Sequence, residues 1–528
     1  MTPAPGVRLR RVGALGALLA LVPVNPLAAA PPPTARSLLA EGMSLLQAQR
    51  MEQARERFEQ TLRLDPRSAE AHYMLGWVRE RGGDRAGAEA SYLEAIRHAP
   101  ALAVAHDRLA FVRGEQGRTA EALAGFEKAV ALDPELFDAQ YHLGATLWWT
   151  GEAQRALAPL RAAVRLDPAH AEARYYLGLA TRRAGDLPGA VAHLRQAARL
   201  GPGLAPIHLQ LGVALGEWGD LEGAVAALRR AVEADPALAD ARNTLGLALM
   251  QQGRADEAVA VLQGLLAADP AHLSARHNLG SVLMQKGDLA GAVAVYRELT
   301  RRAPTHAEAF YNLGLALKQQ DDFTGAEAAL RQAVALDPAL PEAHYTLGVV
   351  LWQTGRADDA AAAFGAALLA RPAYAEAHYM LGTVRKQRGR LDEAIAAFRQ
   401  TIRHDPLSAE AHLSLGQALR QMKDTAGAAA AFAEAERLNQ KKADGQAAAF
   451  AVSAGREMLA RGDTEAALER LREAVRLAPD EAQAHYQLAL ALRKKGAAED
   501  ARTHFETALR LAPWLPAAAA DHRSTEEP

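Results

Sequence analysis

Imidazole, carboxylate, amide and indole side chains recur in this chain at fixed intervals, and each row suggests a chemistry. Seven of the 17 histidines, His72, His106, His208, His344, His378, His412 and His485, share one register, and a row of imidazoles is a candidate metal ladder. A parallel row of carboxylates, Glu70, Asp138, Glu172, Asp240, Glu308, Glu342, Glu376 and Glu410, could receive a basic peptide. Gln251, Gln285, Gln319, Gln353, Gln387 and Gln421 form an unbroken file that could donate and accept hydrogen bonds along an extended backbone. Trp77, Phe111, Trp148 and Trp149 gather in the first third of the sequence. Large aromatics left exposed on a surface are enriched at binding hot spots.

Catalysis finds few footholds. The absence of cysteine removes disulfides, thiolate metal sites and cysteine nucleophiles. No lysine is followed by Ser or Thr, so there is no phosphate-binding P-loop, and no histidine is followed by Glu, so the H-E-x-x-H zinc motif is missing too. Neither G-x-S-x-G nor G-x-G-x-x-G occurs. The sequence therefore reads as non-enzymatic, with no catalytic residue, cofactor or metal. Sixty Lys and Arg against 62 Asp and Glu leave a formal charge of −2, which gives no argument for nucleic acid as a partner.

A repeat positions these rows. Pro66, Pro100, Pro134, Pro168, Pro202, Pro236, Pro270, Pro304, Pro338, Pro372 and Pro406 follow one another at intervals of 34 residues. When each unit is counted so that its Pro is position 32, position 8 is Gly, from Gly42 and Gly76 to Gly416, with Ala110 the exception. Position 20 is Ala throughout, and position 15 is usually Gly, as in Gly83 and Gly117. Apolar residues at helical spacing on either side of position 15 predict two helices per unit. Gly at 8 and Ala at 20 lack bulk and permit close approach, while Pro at 32 marks the turn into the next unit. One such pair cannot bury its apolar face alone, so the units must stack.

The stretch Ala377-His378-Tyr379-Met380-Leu381-Gly382, with Ala394, Phe398 and Pro406, resembles the tetratricopeptide repeat (TPR) family. The resemblance implies an all-α fold, a right-handed α-solenoid superhelix of about 14 helix-turn-helix units. Repeats one to twelve span 35–440 and repeats thirteen and fourteen span 448–513. Between them, Gln440 takes the place of the missing proline, and Lys441, Lys442, Asp444 and Gly445 lie in a polar linker over 441–447. A kink or hinge is expected there, with one long continuous helix as the alternative.

In TPR proteins positions 2, 5, 9, 12 and 13 of the first helix tend to line a concave, peptide-holding surface. By that resemblance the candidate groove residues are Trp77, Phe111, Trp148 and Trp149, Tyr311, Tyr345 and Tyr379, the six glutamines, and Glu308, Glu342 and Glu376. Each has a plainer reading. The aromatics could pack between helices, glutamine suits any helix surface, and carboxylates in a first turn favour the helix dipole. Position 4 is normally a packing residue, and helix axes about 8–10 Å apart keep histidines of adjacent units from sharing one ion with ligand bonds of about 2 Å. The repeats also resemble the arm of O-linked N-acetylglucosamine transferases, but the Asn ladder at position 6 is reduced to Asn278 and Asn312.

At the start of the chain, Arg8, Arg10 and Arg11 precede an apolar run from Val12 to Val24 and the small residues Ala28 to Ala30. This reads as an export signal over 1–29, of the Sec rather than the twin-arginine kind, followed by a Pro-rich linker over 30–34. No later stretch is long and apolar enough to span a membrane, and 514–528 is a tail or cap. The expectation is a periplasmic or secreted scaffold of the cell envelope that binds a protein or peptide in its groove. The alternatives are end-to-end self-assembly and a glycan-acting enzyme.

Overall fold

The computed structural model describes residues 34–512, so the expected signal over 1–29, residues 30–33 of the linker and the tail over 514–528 lie outside the described residues. The described residues form 27 α-helices, numbered α1 to α27 in chain order, in antiparallel pairs joined by short turns. They divide into two compact units between Lys286 and Gly287. Within each unit a helix packs against its neighbours in chain order, and first helices of successive pairs also touch.

Repeat eleven shows why the sequence folds this way. Its helices α21 (Ala375–Gln387) and α22 (Leu391–His404) bury Leu381, Gly382 and Val384 against Ala394, Ile395 and Phe398. A Cβ on Gly382 would lie 2.7 Å from Cε1 of Phe398, so the absent side chain is what admits the ring. Ala110, the exception at this position, is answered across the pair by Gly125, whose missing Cβ would stand 2.7 Å from that of Ala110. The small residue has changed sides, and Phe126 stays buried.

The turn inside each pair needs a left-handed residue. Eleven glycines at this position have φ between 73° and 92°, whereas Gln49, Asp321 and Lys423 adopt the same conformation at 59°, 62° and 64°. In six repeats an aspartate follows and caps the second helix. Asp84, Asp186, Asp220, Asp288, Asp322 and Asp424 each accept a bond from the N–H of a glycine three residues on, at 2.8–2.9 Å.

The expected linker over 441–447 is helical. Helix α24 runs unbroken over 37 residues, Thr425–Arg461, and stops at Gly462 with φ 92°. It serves as the second helix of repeat twelve and the first of repeat thirteen, the alternative to a hinge. The physical reason is that Gln440 leaves the backbone N–H that Pro would have removed. Alanines flank the polar stretch on both sides, and Gln440 Nε2 donates to Asp444 Oδ1 at 2.9 Å along the helix surface.

Candidate functional site

The histidine row is a set of clamps. Nε2 of His72, His106, His208, His344, His378 and His485 donates to the carbonyl of Pro66, Pro100, Pro202, Pro338, Pro372 and Pro479, at 2.9–3.0 Å. A carbonyl only accepts, so each of these rings carries its proton on Nε2. Gln140, Arg174 and Arg276 make the same bond in their repeats. In these nine repeats position 4 ties the start of the first helix to the preceding turn.

In the first unit the aromatic residues converge on repeats three to five. Helices α5 (Ala103–Glu115), α7 (Phe137–Trp149) and α9 (Ala171–Arg183) supply them. Phe111 is half-buried, with the Arg108 guanidinium 4.9 Å above its ring and His142 5.1 Å away. Trp148 packs on the core and tilts against Tyr176 at 5.7 Å. Trp149 meets Trp148 edge-on at 5.0 Å and donates from Nε1 to the Tyr176 hydroxyl at 3.2 Å, yet remains 52% exposed. Trp77 belongs elsewhere: it packs on the core of repeats one and two, with the Arg81 guanidinium 4.9 Å from its ring.

Beneath these rings runs a chain of buried polar links. Glu80, 3% exposed, accepts from the Tyr92 hydroxyl at 2.8 Å and from Arg108, whose Nε is 3.2 Å away and whose Nη2 also contacts the carboxylate. Asp107, 1% exposed, bonds His142 Nδ1 at 2.9 Å. The Tyr141 hydroxyl donates to Glu172 at 2.9 Å. Burial, reinforced by Asp107, raises the carboxyl pKa of Asp138, and burial raises Tyr73 to about 12. His170 lies against Phe137 and Tyr141, and its Nδ1 accepts the Ala173 N–H at 3.1 Å; burial lowers its pKa.

In the second unit Tyr311, Tyr345 and Tyr379 are half-buried. Tyr311 is hydrogen-bonded to Thr346, Tyr345 tilts on Phe364 and Tyr374, and the Tyr379 hydroxyl meets Ser414 Oγ at 3.4 Å. Burial raises the pKa of Tyr311 and Tyr345 and brings Tyr374 to about 12. Gln319, Gln353, Gln387 and Gln421 are all exposed, as are Gln251 and Gln285 in the first unit. Trp352 Nε1 donates to Gln387 at 3.0 Å. Glu308 and Glu376 face solvent, whereas Glu342 is paired with Arg371.

One tetratricopeptide repeat profile matches residues 39–103, 109–168, 147–205, 209–272 and 452–515, more than half of the chain. The chain belongs to the tetratricopeptide repeat family. A further profile, the C-terminal domain of cilia and flagella-associated protein 70, matches 241–451. Among solved structures, MamA is 30% identical over 31% of this chain and 96% of its own, with a TM-score of 0.31. YrrB, described as a TPR protein with an unusual peptide-binding site, is 24% identical over 35% and 95%, with a TM-score of 0.33. PilF of Pseudomonas aeruginosa is 20% identical over 39% and 95%, with a TM-score of 0.36. No curated protein matches the chain. The TPR is generally a non-catalytic, protein-binding module.

Placed in TPR register, three of the polar links share one pattern. Position 5 of one repeat bonds position 6 of the next in Asp107–His142, Asn243–Asn278 and Tyr379–Ser414. These side chains join successive repeats, and Tyr379 is the member of the expected groove set among them. Glu80, Asp107, Arg108 and His142 were missed altogether. The available signal was departure from the repeat: Glu80 is the one carboxylate at position 12 in repeats one to twelve, and Asp107 stands where Tyr recurs.

Proposed function

We propose that this TPR protein is a non-catalytic scaffold that holds an extended segment of a partner protein on the first-helix face of its first unit, with Trp149 as the anchor. The observation that carries this reading is Trp149 itself. A large indole left half in solvent costs apolar exposure, yet it is held in one orientation by Tyr176 and Trp148. An anchor fixed before binding loses little rotamer entropy on contact. The exposed Gln251 and Gln285 of the same unit support hydrogen bonds to an extended backbone.

The test is affinity capture from extracts of the source cell with the wild-type chain and Trp149→Ala. Trp148 stays intact, because its ring fills core space. A protein retained by the wild type and lost by a folded variant supports the reading; equal capture by both overturns it. Two settings have support. Arg8, Arg10, Arg11 and the Val12–Val24 run favour export to the cell envelope, while the profile over 241–451 takes its name from cilia and flagella. Fractionation of the native protein distinguishes them.

A further inference from the structure

Within repeat two, a second histidine and a carboxylate stand beside one clamp histidine. His72 lies in the first turn of α3 (Ala69–Arg81), and Glu94 and His98 lie one turn apart at the end of its antiparallel partner α4 (Arg85–His98). One donor atom from each residue falls within 4.8 Å of the other two, and all three side chains are part-exposed. The two imidazoles stack at 5.7 Å with 20° between their planes. Histidines of adjacent repeats stand too far apart to share an ion, whereas these three groups belong to a single helix pair.

We propose that His72, Glu94 and His98 form a binding site for a divalent transition ion of the zinc class, with water as the fourth ligand. Three features carry the assignment. Two imidazoles and one carboxylate are a donor set that suits zinc with one open position. The bond from His72 Nε2 to the Pro66 carbonyl, 3.0 Å, fixes the tautomer and leaves Nδ1 with its lone pair, the backing that metal-bound histidines commonly have. Glu94 and His98, four residues apart on one helix, present their donors on one face, with His98 Nε2 3.6 Å from Glu94 Oε2. Tetrahedral donors about 2.0–2.2 Å from zinc lie about 3.3 Å from each other, so closure asks each part-exposed side chain to move by about 1 Å.

Without an ion, Arg97 occupies the carboxylate. Its Nη2 is 2.5 Å from Glu94 Oε2 and 3.3 Å from His98 Nε2, and its side chain, 67% exposed, is free to swing away. Repeat eleven contains a natural control. His378 and His404 stack in the same way, at 5.7 Å and 15°, but Gln400 stands at the position of Glu94. A neutral amide there lacks the charge that a divalent ion needs. This site is independent of the partner-binding reading.

The experiment titrates the full chain with Co²⁺, followed by Zn²⁺ competition, and reads visible absorption of tetrahedral cobalt and binding stoichiometry. The expected result is one absorbing Co²⁺ per chain, displaced by Zn²⁺. Glu94→Gln and His98→Gln, which leave the His72 clamp in place, should weaken binding about 10-fold or more, while Arg97→Gln should tighten it. Helical circular dichroism confirms that each variant is folded. Absence of cobalt absorption in the wild type, or undiminished binding by both Glu94→Gln and His98→Gln, overturns the assignment.

Discussion

Replacing Glu80 by glutamine should loosen the junction between repeats two and three. The carboxylate receives the Tyr92 hydroxyl and the Arg108 guanidinium in an environment nearly closed to water, and the Arg108 side chain is itself 16% exposed. Glutamine keeps the shape and loses the charge, leaving Arg108 buried without its counterion. Removal of one partner from a buried pair costs about 3–5 kcal/mol. The nearby Asp107 carboxylate compensates in part, so about 2–3 kcal/mol is expected. Replacing Arg108 by methionine in the same molecule removes the orphaned charge, and the double variant should recover most of that loss. Repeat arrays open locally, so the assay is hydrogen exchange read helix by helix over α3, α4 and α5. Exchange in these helices changed by less than about 0.5 kcal/mol in the single variant, or a double-variant loss equal to the sum of the singles, would refute the reasoning.

Other consequences follow from the same structure. Asp321→Gly and Lys423→Gly relieve left-handed backbone at non-glycine residues and should each raise local stability by about 1 kcal/mol, read by urea unfolding. Gly382→Ala drives a methyl into the Phe398 ring; overpacking of about 1–3 kcal/mol should outweigh the helix propensity gained, lowering the melting temperature. The pKa of His170 is depressed by burial, so its contribution to stability is present above its unfolded value and lost as pH falls through the folded one. Protonating Nδ1 also removes its cap on Ala173. Acidification below about pH 6.5 should therefore destabilise α9 by about 1 kcal/mol, and His170→Asn, which can cap without titrating, should flatten that dependence.

The paired helices were legible because each constraint is repeated. A missing Cβ at position 8, a left-handed turn at 15 and a proline at 32 recur in phase, so an exception such as Ala110 stands out, although only the structure shows Gly125 answering it. The run through α24 was harder to read. Lys441, Lys442, Asp444 and Gly445 look like a loop, but each retains a backbone N–H, and alanines on both sides continue the helix. The polar links were hidden for a different reason. The role of Asp107 depends on His142 in the next repeat, and that of Glu80 on Arg108, so neither is visible from its own helix. Trp148 and Trp149 could have been separated from sequence: neighbours on a helix point about 100° apart, so one faces the core and the other solvent.

Site-specific photo-crosslinking decides whether a partner meets the Trp149 face. A benzoylphenylalanine is placed at Trp149 on the first-helix face, and in a second variant at Leu93 on the second helix of repeat two, which is 43% exposed. The account predicts that illumination in the native cell joins a partner polypeptide through position 149 and not through 93. Crosslinking through 93 alone, or equally through both, would contradict it.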